Sequence, residues 1–561
     1  MKHVKQLLSA LLLLLSLSLA FVACKKDPVD PDPQPAVTAI TSIDPATAPV
    51  GSTIAITGTN FSTDPASNTI TIGGVTATVV SASPTKLVVV VPAGAANGPV
   101  SVTANGQTAQ SAGTFTVALP GLKPTKEVRG TTFANLTWKK DTIYVLRGQV
   151  YIPADYKLTI EPGTIIKGTG PEMDPNGTNY PGALIVERRA QLIAIGTPTQ
   201  PIVFTSSKAA GQRSYGDWGG VVLIGKAPVN QSRTAAYPNG VRGTVEAYGE
   251  PLDNSGTMQY VRIEYAGATQ PTTPASRLGG LTLIGVGTNT VIDHVQVSYS
   301  GSDAFAWFGG TARLKNVFSY RAFDDDWSAD WGYVGNVQFG VSLRDVSVGD
   351  PSGSNGFEVD NYQSAETSDV TAVTAINGYT QTAPTFANFS SFAYSTAPTT
   401  GLYNAGIYLR RNTAVSIYNS LVYGFPVGVY LEGAAVGPQA NFTSGTLDLK
   451  GIVVANALTP VVGAGSNTPE QATTYFTGAG RSNQIIATSD VATLLLNPGN
   501  LTLSSPAFVP QTGSPLLTGA VTGGKLANSF FTSVTYRGAF GTDNWVSGWT
   551  NVNPQATDYD R

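Results

Sequence analysis

Gly406-Ile407-Tyr408-Leu409 returns 22 residues later as Gly428-Val429-Tyr430-Leu431, and that spacing decides the fold. Ile407 and Leu409 share one face of an extended segment and Tyr408 takes the other, which is the period of a strand. The same beat runs upstream. Val295-Gln296-Val297 returns as Val317-Phe318-Ser319 and again as Val337-Gln338-Phe339. Asp303-Ala304-Phe305 returns as Asp325-Asp326-Trp327 and, more loosely, as Asn355-Gly356-Phe357. Between residues 140 and 455, apolar alternation recurs about every 20 to 22 residues with Gly, Asn and Asp between the runs. A period near 20 fits one coil of a parallel β-helix, in which each coil buries its inward side chains only by stacking on its neighbours. Leucine-rich repeats fail as an alternative because their Leu/Asn frame is missing.

Composition supports an all-β reading. Gly (61) and Pro (36) are plentiful, and no long stretch carries helical apolar periodicity. At 561 residues the chain exceeds one comfortable core, so two or more domains are expected. Charged residues make up only 12% and the net charge is −3, with no basic stripe to neutralise a phosphate backbone, so no nucleic-acid partner is expected.

The N-terminus predicts an anchor. Lys2 and Lys5 precede an apolar run from Leu7 to Val22, too short and wrongly flanked for a spanning helix, and then Phe21-Val22-Ala23-Cys24. This resembles a bacterial lipoprotein signal, residues 1–23, with Cys24 as the lipidation site. The resemblance implies a thioether-linked diacylglycerol and an N-acyl chain such as palmitate, and several acyl chains hold a protein on a membrane. Residues 24–36 alternate Pro with acids, an extended tether of roughly 35 Å. Lys25 stands where an acidic residue retains many Gram-negative lipoproteins at the inner membrane. An outer-membrane, lipid-anchored location facing the exterior is therefore expected. With Cys24 acylated, no thiol remains for disulfides or zinc. His294 is the one histidine outside the signal, so a multi-histidine metal site cannot form, although a single Ser-His-Asp triad stays open.

Residues 37–118 read as short alternating strands at Ser52–Thr57, Thr69–Ile72, Lys86–Val91, Val100–Thr103 and Thr114–Val117, with turns at Gly73-Gly74 and Asn105-Gly106. Ile43-Asp44-Pro45, Ile56-Thr57-Gly58-Thr59-Asn60-Phe61, Ile72-Gly73-Gly74 and Val91-Pro92-Ala93-Gly94 resemble the IPT/TIG family, which implies an immunoglobulin-like sandwich without catalytic residues. Residues 119–455 are expected to form the β-helix. Tyr156 to Gly168, reading YKLTIEPGTIIKG, resembles the opening coil of bacterial right-handed β-helix surface proteins. Phe323-Asp324-Asp325-Asp326-Trp327, Gly332-Tyr333-Val334-Gly335, Arg410-Arg411-Asn412 and Tyr536-Arg537-Gly538-Ala539-Phe540-Gly541 are similar to a group of Gram-negative surface lipoproteins with β-helix bodies and no established activity. Residues 456–561 break the repeat and are expected to cap the last coil and pack back on the others, with a short helix at Ser489–Leu496.

Chemistry concentrates in Asp324, Asp325, Asp326 and Asp330. Alternation on a strand sends Asp324 and Asp326 to one face and Asp325 to the other. Carboxylates this close need a cation, arginine partners or raised pKa values. Ca²⁺ is the candidate cofactor, since it takes several oxygen ligands, with Asp303, Asn355, Glu358 and Asp360 of neighbouring coils as further donors. Arg344 and Arg410 are candidate catalytic partners of the four aspartates, and Arg321 and Arg411 candidate counter-ions. A turn-capping ladder of Asp and Asn explains the same residues without chemistry. Right-handed β-helices include Ca²⁺-dependent polysaccharide lyases, in which arginine is the base, and glycosidases with paired carboxylates. Ile292-Asp293-His294 is similar to a short lyase motif, but its flanks depart from it, and a core or turn role for His294 is the plainer reading. Trp331, Tyr333 and Tyr362 are candidate glycan-binding aromatics, because aromatic faces beside polar groups suit sugar rings. Phe305, Trp327 and Phe357 share one repeat position and are expected to stack inward. The expected role is non-catalytic binding of a polysaccharide or another surface protein, or adhesion. A polysaccharide-cleaving enzyme and an architectural surface protein are the alternatives.

Overall fold

A computed structural model describes residues 36–118, 121–231, 236–238, 241–244, 249–269, 277–361, 381–395, 402–411, 413–433, 445–465 and 467–561. Cys24, the tether up to residue 35 and Tyr362 lie outside the described residues. The chain divides into two compact units, one reaching Leu122 and one spanning Lys123–Asp560.

In the first unit Ala39–Asp44, Thr53–Thr59, Lys86–Val90 and Val75–Ser83 pair antiparallel in one sheet. Asn68–Ile72, Gly98–Ala104 and Gln107–Ala118 make the facing one. Alternate residues, among them Ile54, Ile56, Ile70, Ile72, Leu87, Val89, Val100 and Val102, are buried between them. Asn105 and Gly106 both have positive φ (50° and 76°), the geometry of a two-residue hairpin turn whose twist matches its strands. Gly73 has no substitute. Its φ is +55°, and a Cβ there would lie 2.1 Å from the Ala96 carbonyl oxygen.

The second unit is a parallel β-helix with three faces per coil. The strands Gly256–Glu264, Val291–Ser298, Arg313–Tyr320, Asn336–Leu343 and Thr385–Phe392 each run through two faces and bend at one left-handed residue. These corners are Tyr260, His294, Asn316, Phe339 and Asn388, with φ between 50° and 64°. Asparagine tolerates that region best among side-chain-bearing residues. At Tyr260 and His294 the two rings stack with centroids 4.5 Å apart. His294 is thus a corner residue. The third face stacks Leu281–Ile284, Phe305–Phe308, Trp327–Asp330, Phe357–Val359, Ala405–Leu409 and Val427–Glu432.

The register confirms Ile407 opposite Val429, and Phe305, Trp327 and Phe357 in one inward column. Phe305 and Trp327 lie 5.2 Å apart and nearly parallel, and such offset pairs add about 0.5–1.5 kcal/mol beyond their buried area. One recurrence is corrected. Val317 pairs with Gly340, not Val337, so the third copy is Gly340-Val341-Ser342. Phe389 of the next coil fills the space where a Gly340 side chain would stand, 2.0 Å from an ideal Cβ, and the missing side chain hides the repeat.

The expected boundary at 455 also moves. The parallel ladder continues through Thr459–Ala464 and Gln484–Ile486. The helix Pro469–Thr477, opened by a Thr468/Gln471 capping box, adds Ala472, Tyr475 and Phe476 to the main core at this end. Ser489–Leu496 is mostly a 3₁₀ segment, Thr488–Leu494. The remaining chain does not cover the end. It runs back along the flank as a strap. Outward Phe318, Tyr320, Val341, Leu343, Phe392 and Leu421 bury against Phe508, Leu516, Phe540 and Val546 in a second core. Reciprocal hydrogen bonds pin the strap to successively earlier coils: Val521 with Asn419, Thr532 with Gln338, Asn551 with Gln296 and Gln555 with Arg213.

The strap ends in a buried lock. Tyr559 Oη donates to Glu264 Oε1 at 2.7 Å, and Thr205 Oγ1 donates to Oε2 at 2.9 Å. Burial raises the Glu264 pKa above its ordinary 4.5. The folded chain therefore holds this proton more tightly than the unfolded one, and the associated stability declines as pH rises above 4.5. Glu264→Gln is expected to flatten the fall of melting temperature with pH. Tyr559→Phe is expected to cost about 1–3 kcal/mol in urea unfolding, the range for a hydrogen bond lost from a buried polar group.

Candidate functional site

The acidic residues gather where the second face turns into the third. Asp324, Asp325 and Asp326 lie not on a strand but in the turn between Arg313–Tyr320 and Trp327–Asp330. The predicted strand alternation therefore does not apply to them. Asp303 occupies the same turn one coil earlier. Carboxylate oxygens of Asp303, Asp324 and Asp325 all lie within 4.8 Å of one another. Asn355, one coil later, braces the group: its N–H and Nδ2 donate to Asp325 Oδ1 at 2.7 and 3.0 Å, and Nδ2 also reaches Glu358 Oε2 at 3.3 Å. Burial, with Glu358 next, pushes the Asp303 carboxyl up to about 7. Burial and the neighbouring acids also push Asp324 and Asp325 up. This trio offers the hard oxygen donors that a Ca²⁺ ion takes.

Asp326 and Asp330 do not join it. Asp326, fully buried, accepts from Arg344 Nε at 3.0 Å and Ser319 Oγ at 2.6 Å. Arg344 is buried as well, and its Nη2 donates to the backbone carbonyls of Asp324 and Asn355. One guanidinium thus ties two acid-bearing turns from adjacent coils. Asp330 instead accepts from the Trp331 N–H at 2.6 Å and feels the like charge of the next coil's Asp360. Burial, then the Asp360 charge, raises its pKa.

Outward positions of the third face carry Ser328, Glu358, Tyr408 and Tyr430 in register. Arg410 Nη1 bonds Glu358 Oε1 at 2.8 Å and its Nε bonds Glu432 Oε2 at 3.0 Å, while Arg411 pairs with Asp360. Burial alone would lower the pKa of Arg344 and Arg410, but the surrounding carboxylates overcome it and hold both as cations. Arg321 is spent on Asp345. Pattern reading missed Glu432 and the stacked Tyr408–Tyr430 pair (4.8 Å) as parts of this row, whereas Glu358 and Asp360 were expected beside the acidic cluster. The 22-residue repeat contained that signal, since both tyrosines share its outward position.

The aromatic candidates are corrected. Trp331 is 7% exposed and packs edge-on against Phe308, centroids 5.4 Å apart. Tyr333 is fully buried, stacks on Trp307 and donates its hydroxyl to the Ala312 carbonyl at 2.9 Å. Neither offers a face to a sugar. Both follow the strand Trp327–Asp330, where the chain folds back under neighbouring loops.

Two outcomes follow. Arg344→Met leaves Asp326 buried without a counter-charge and is expected to destabilise by about 3–5 kcal/mol, with Arg344→Met/Asp326→Leu recovering most of it in chemical unfolding. The trio's folded pKa values lie above the ordinary 3.8, so its penalty is absent at low pH and grows as pH rises past that value. Asp325→Asn is therefore expected to raise the melting temperature at pH 8 in chelator and to leave it unchanged at pH 3.

Residues 130–492 match the family model described as pectate-lyase-like beta helix domain, and residues 39–117 match the IPT/TIG domain. No curated protein matches the chain. Among solved structures, an auxiliary nutrient binding protein from Bacteroides thetaiotaomicron VPI-5482 is 26% identical over 15% of this chain and 21% of its own, with a TM-score of 0.14. One from Bacteroides ovatus ATCC 8483 is 20% identical over 17% and 24%, also at 0.14. The chain thus spans about a fifth to a quarter of these structures' length, and they carry no argument about its activity. The match over residues 130–492, together with the three-faced parallel coil, places this chain in the pectate-lyase-like β-helix domain family, with an IPT/TIG domain ahead of the helix.

Proposed function

We propose that this chain is an outer-membrane lipoprotein, held by acyl groups on Cys24 and facing the exterior, whose β-helix binds a glycan without cleaving it. The state of the arginines carries the non-catalytic part. Elimination beside a uronate needs a base, and Arg344 and Arg410 are both committed to carboxylates that keep them protonated. Hydrolysis needs an accessible carboxyl pair: Asp325, Asp326 and Asp330 are buried, and the part-buried Asp303 and Asp324 bring their oxygens within 4.8 Å of each other, an arrangement suited to sharing a cation. The acids are better explained as links between coils. Binding is supported by the repeating outer surface, which sets polar side chains at strand spacing along the axis, an arrangement suited to long ligands. Among the described residues no helix is long and apolar enough to cross a membrane. The signal-like N-terminus supports a lipid anchor.

The test incubates the full chain in detergent with neutral and uronate-containing polysaccharides, with Ca²⁺ or chelator, and reads retention and new chain ends from the same samples. Retention without new ends is expected. New ends that disappear in Asp325→Asn would make the acidic turn an active site. Absence of both signals would favour the architectural alternative.

A further inference from the structure

The strap leaves clefts where it crosses the corner column, and they differ in chemistry. One, of about 310 Å³, includes Gln338, Asn388 and Asn419, but all three amides are spent on strap backbone. A second, of about 490 Å³, brings Lys525 and Arg313 together without an aromatic residue. The third, also about 490 Å³, is walled by Asn316 and Phe339 from the coils and by Thr535, Tyr536, Asp543 and Trp545 from the strap. Its volume lies within the range of small-ligand sites, roughly 300–1,000 Å³.

This third cleft combines apolar ring surface with polar groups at its edge. Phe339 and Tyr536 stand 6.4 Å apart, their planes inclined by 31°, and Trp545 is fixed by stacking on Phe540 at 5.2 Å and by its Nε1–H bond to the Ala539 carbonyl. Asn316 belongs to the same corner column as Asn388 and Asn419, which donate to strap carbonyls. Its own amide makes no such bond, leaving a donor and an acceptor at the cleft. Asp543 is exposed beside Tyr536 and adds an acceptor. No lysine or arginine lines the cleft. Tyr536 and Trp545 are partly exposed and suit the C–H face of a sugar ring, with Phe339 buried behind Tyr536, and amide and carboxylate edges suit its hydroxyls. Asp543 is the charged side chain on the wall and disfavours a uronate or sulfated unit, while Lys315 at the margin is held on Thr532 Oγ1 at 2.9 Å.

We infer that this cleft is a subsite for a neutral sugar residue, an inference that rests on the glycan-binding reading above and locates it under the strap. Binding of neutral and uronate oligosaccharides to the full chain is measured by titration calorimetry, with tryptophan fluorescence as a second signal. Asn316→Gly removes the amide and preserves the left-handed corner. Thr535→Trp, at an exposed position, fills the mouth. Neutral oligosaccharide is expected to bind the parent and to bind each variant about tenfold more weakly, the size of one or two lost hydrogen bonds. Melting temperatures are expected to stay unchanged, and uronate oligosaccharide not to compete. Binding untouched by either change but lost in Glu358→Gln moves the glycan to the third face and overturns the subsite, leaving the glycan-binding reading intact. No binding of any glycan by the parent overturns both.

Discussion

A single coil of this β-helix has no interior of its own, and everything else follows from that constraint. Ile407 and Leu409 become core only because Val429 and Leu431 lie beneath them in register. A one-residue slip would send these four side chains outward and the tyrosines in. The inward column from Phe305 through Trp327 to Phe357 makes the slip costlier, since large rings must meet rings. Each corner has to reset the chain in one residue, and the left-handed φ values repeated from Tyr260 to Asn388 do so.

Stacking solves the interior but leaves the outside to be settled face by face. On the second face the outward residues are as apolar as a core, and the C-terminal strap covers them. On the third face they are charged and tyrosine-rich, and ion pairs between coils replace that cover. Arg344 joins the two solutions at their shared corner. It neutralises Asp326 and gathers carbonyls from two coils. An isolated surface pair contributes little, whereas a fully buried one penalises any arrangement that separates its partners. The acidic turn is thus explicable as part of the register, with no need of a reaction.

Much of this was legible in the chain. The coil period could be read because Gly406–Leu409 and Gly428–Leu431 keep every inward side chain. The sandwich could be read from its turn residues, and Asn105-Gly106 forms the hairpin that pair implies. What stayed hidden has physical causes. Gly340 carries no side chain to mark its place, so the repeat was read three residues early. The helix Pro469–Thr477 has only Ala472, Tyr475 and Phe476 on its buried side, too little to show as a period. Trp331 and Tyr333 were read as exposed because sequence gives strand phase but not which loop folds over a strand end. That this region packs back on the coils was expected, but the strap's path could not be read, since its partners lie from about a hundred to more than three hundred residues away.

In the proposed reading Asp325 and Asp326 link neighbouring coils, and no buried acid acts on a ligand. Carbodiimide labelling of the native full chain, read residue by residue by mass spectrometry, checks this. Asp325, Asp326 and Asp330 are expected to stay unlabelled while exposed Asp64 and Asp543 react, and all five are expected to react after unfolding. Labelling of Asp325 and Asp330 as fast as Asp543 in the native chain would contradict it and return the acidic turn to the surface as a reacting site.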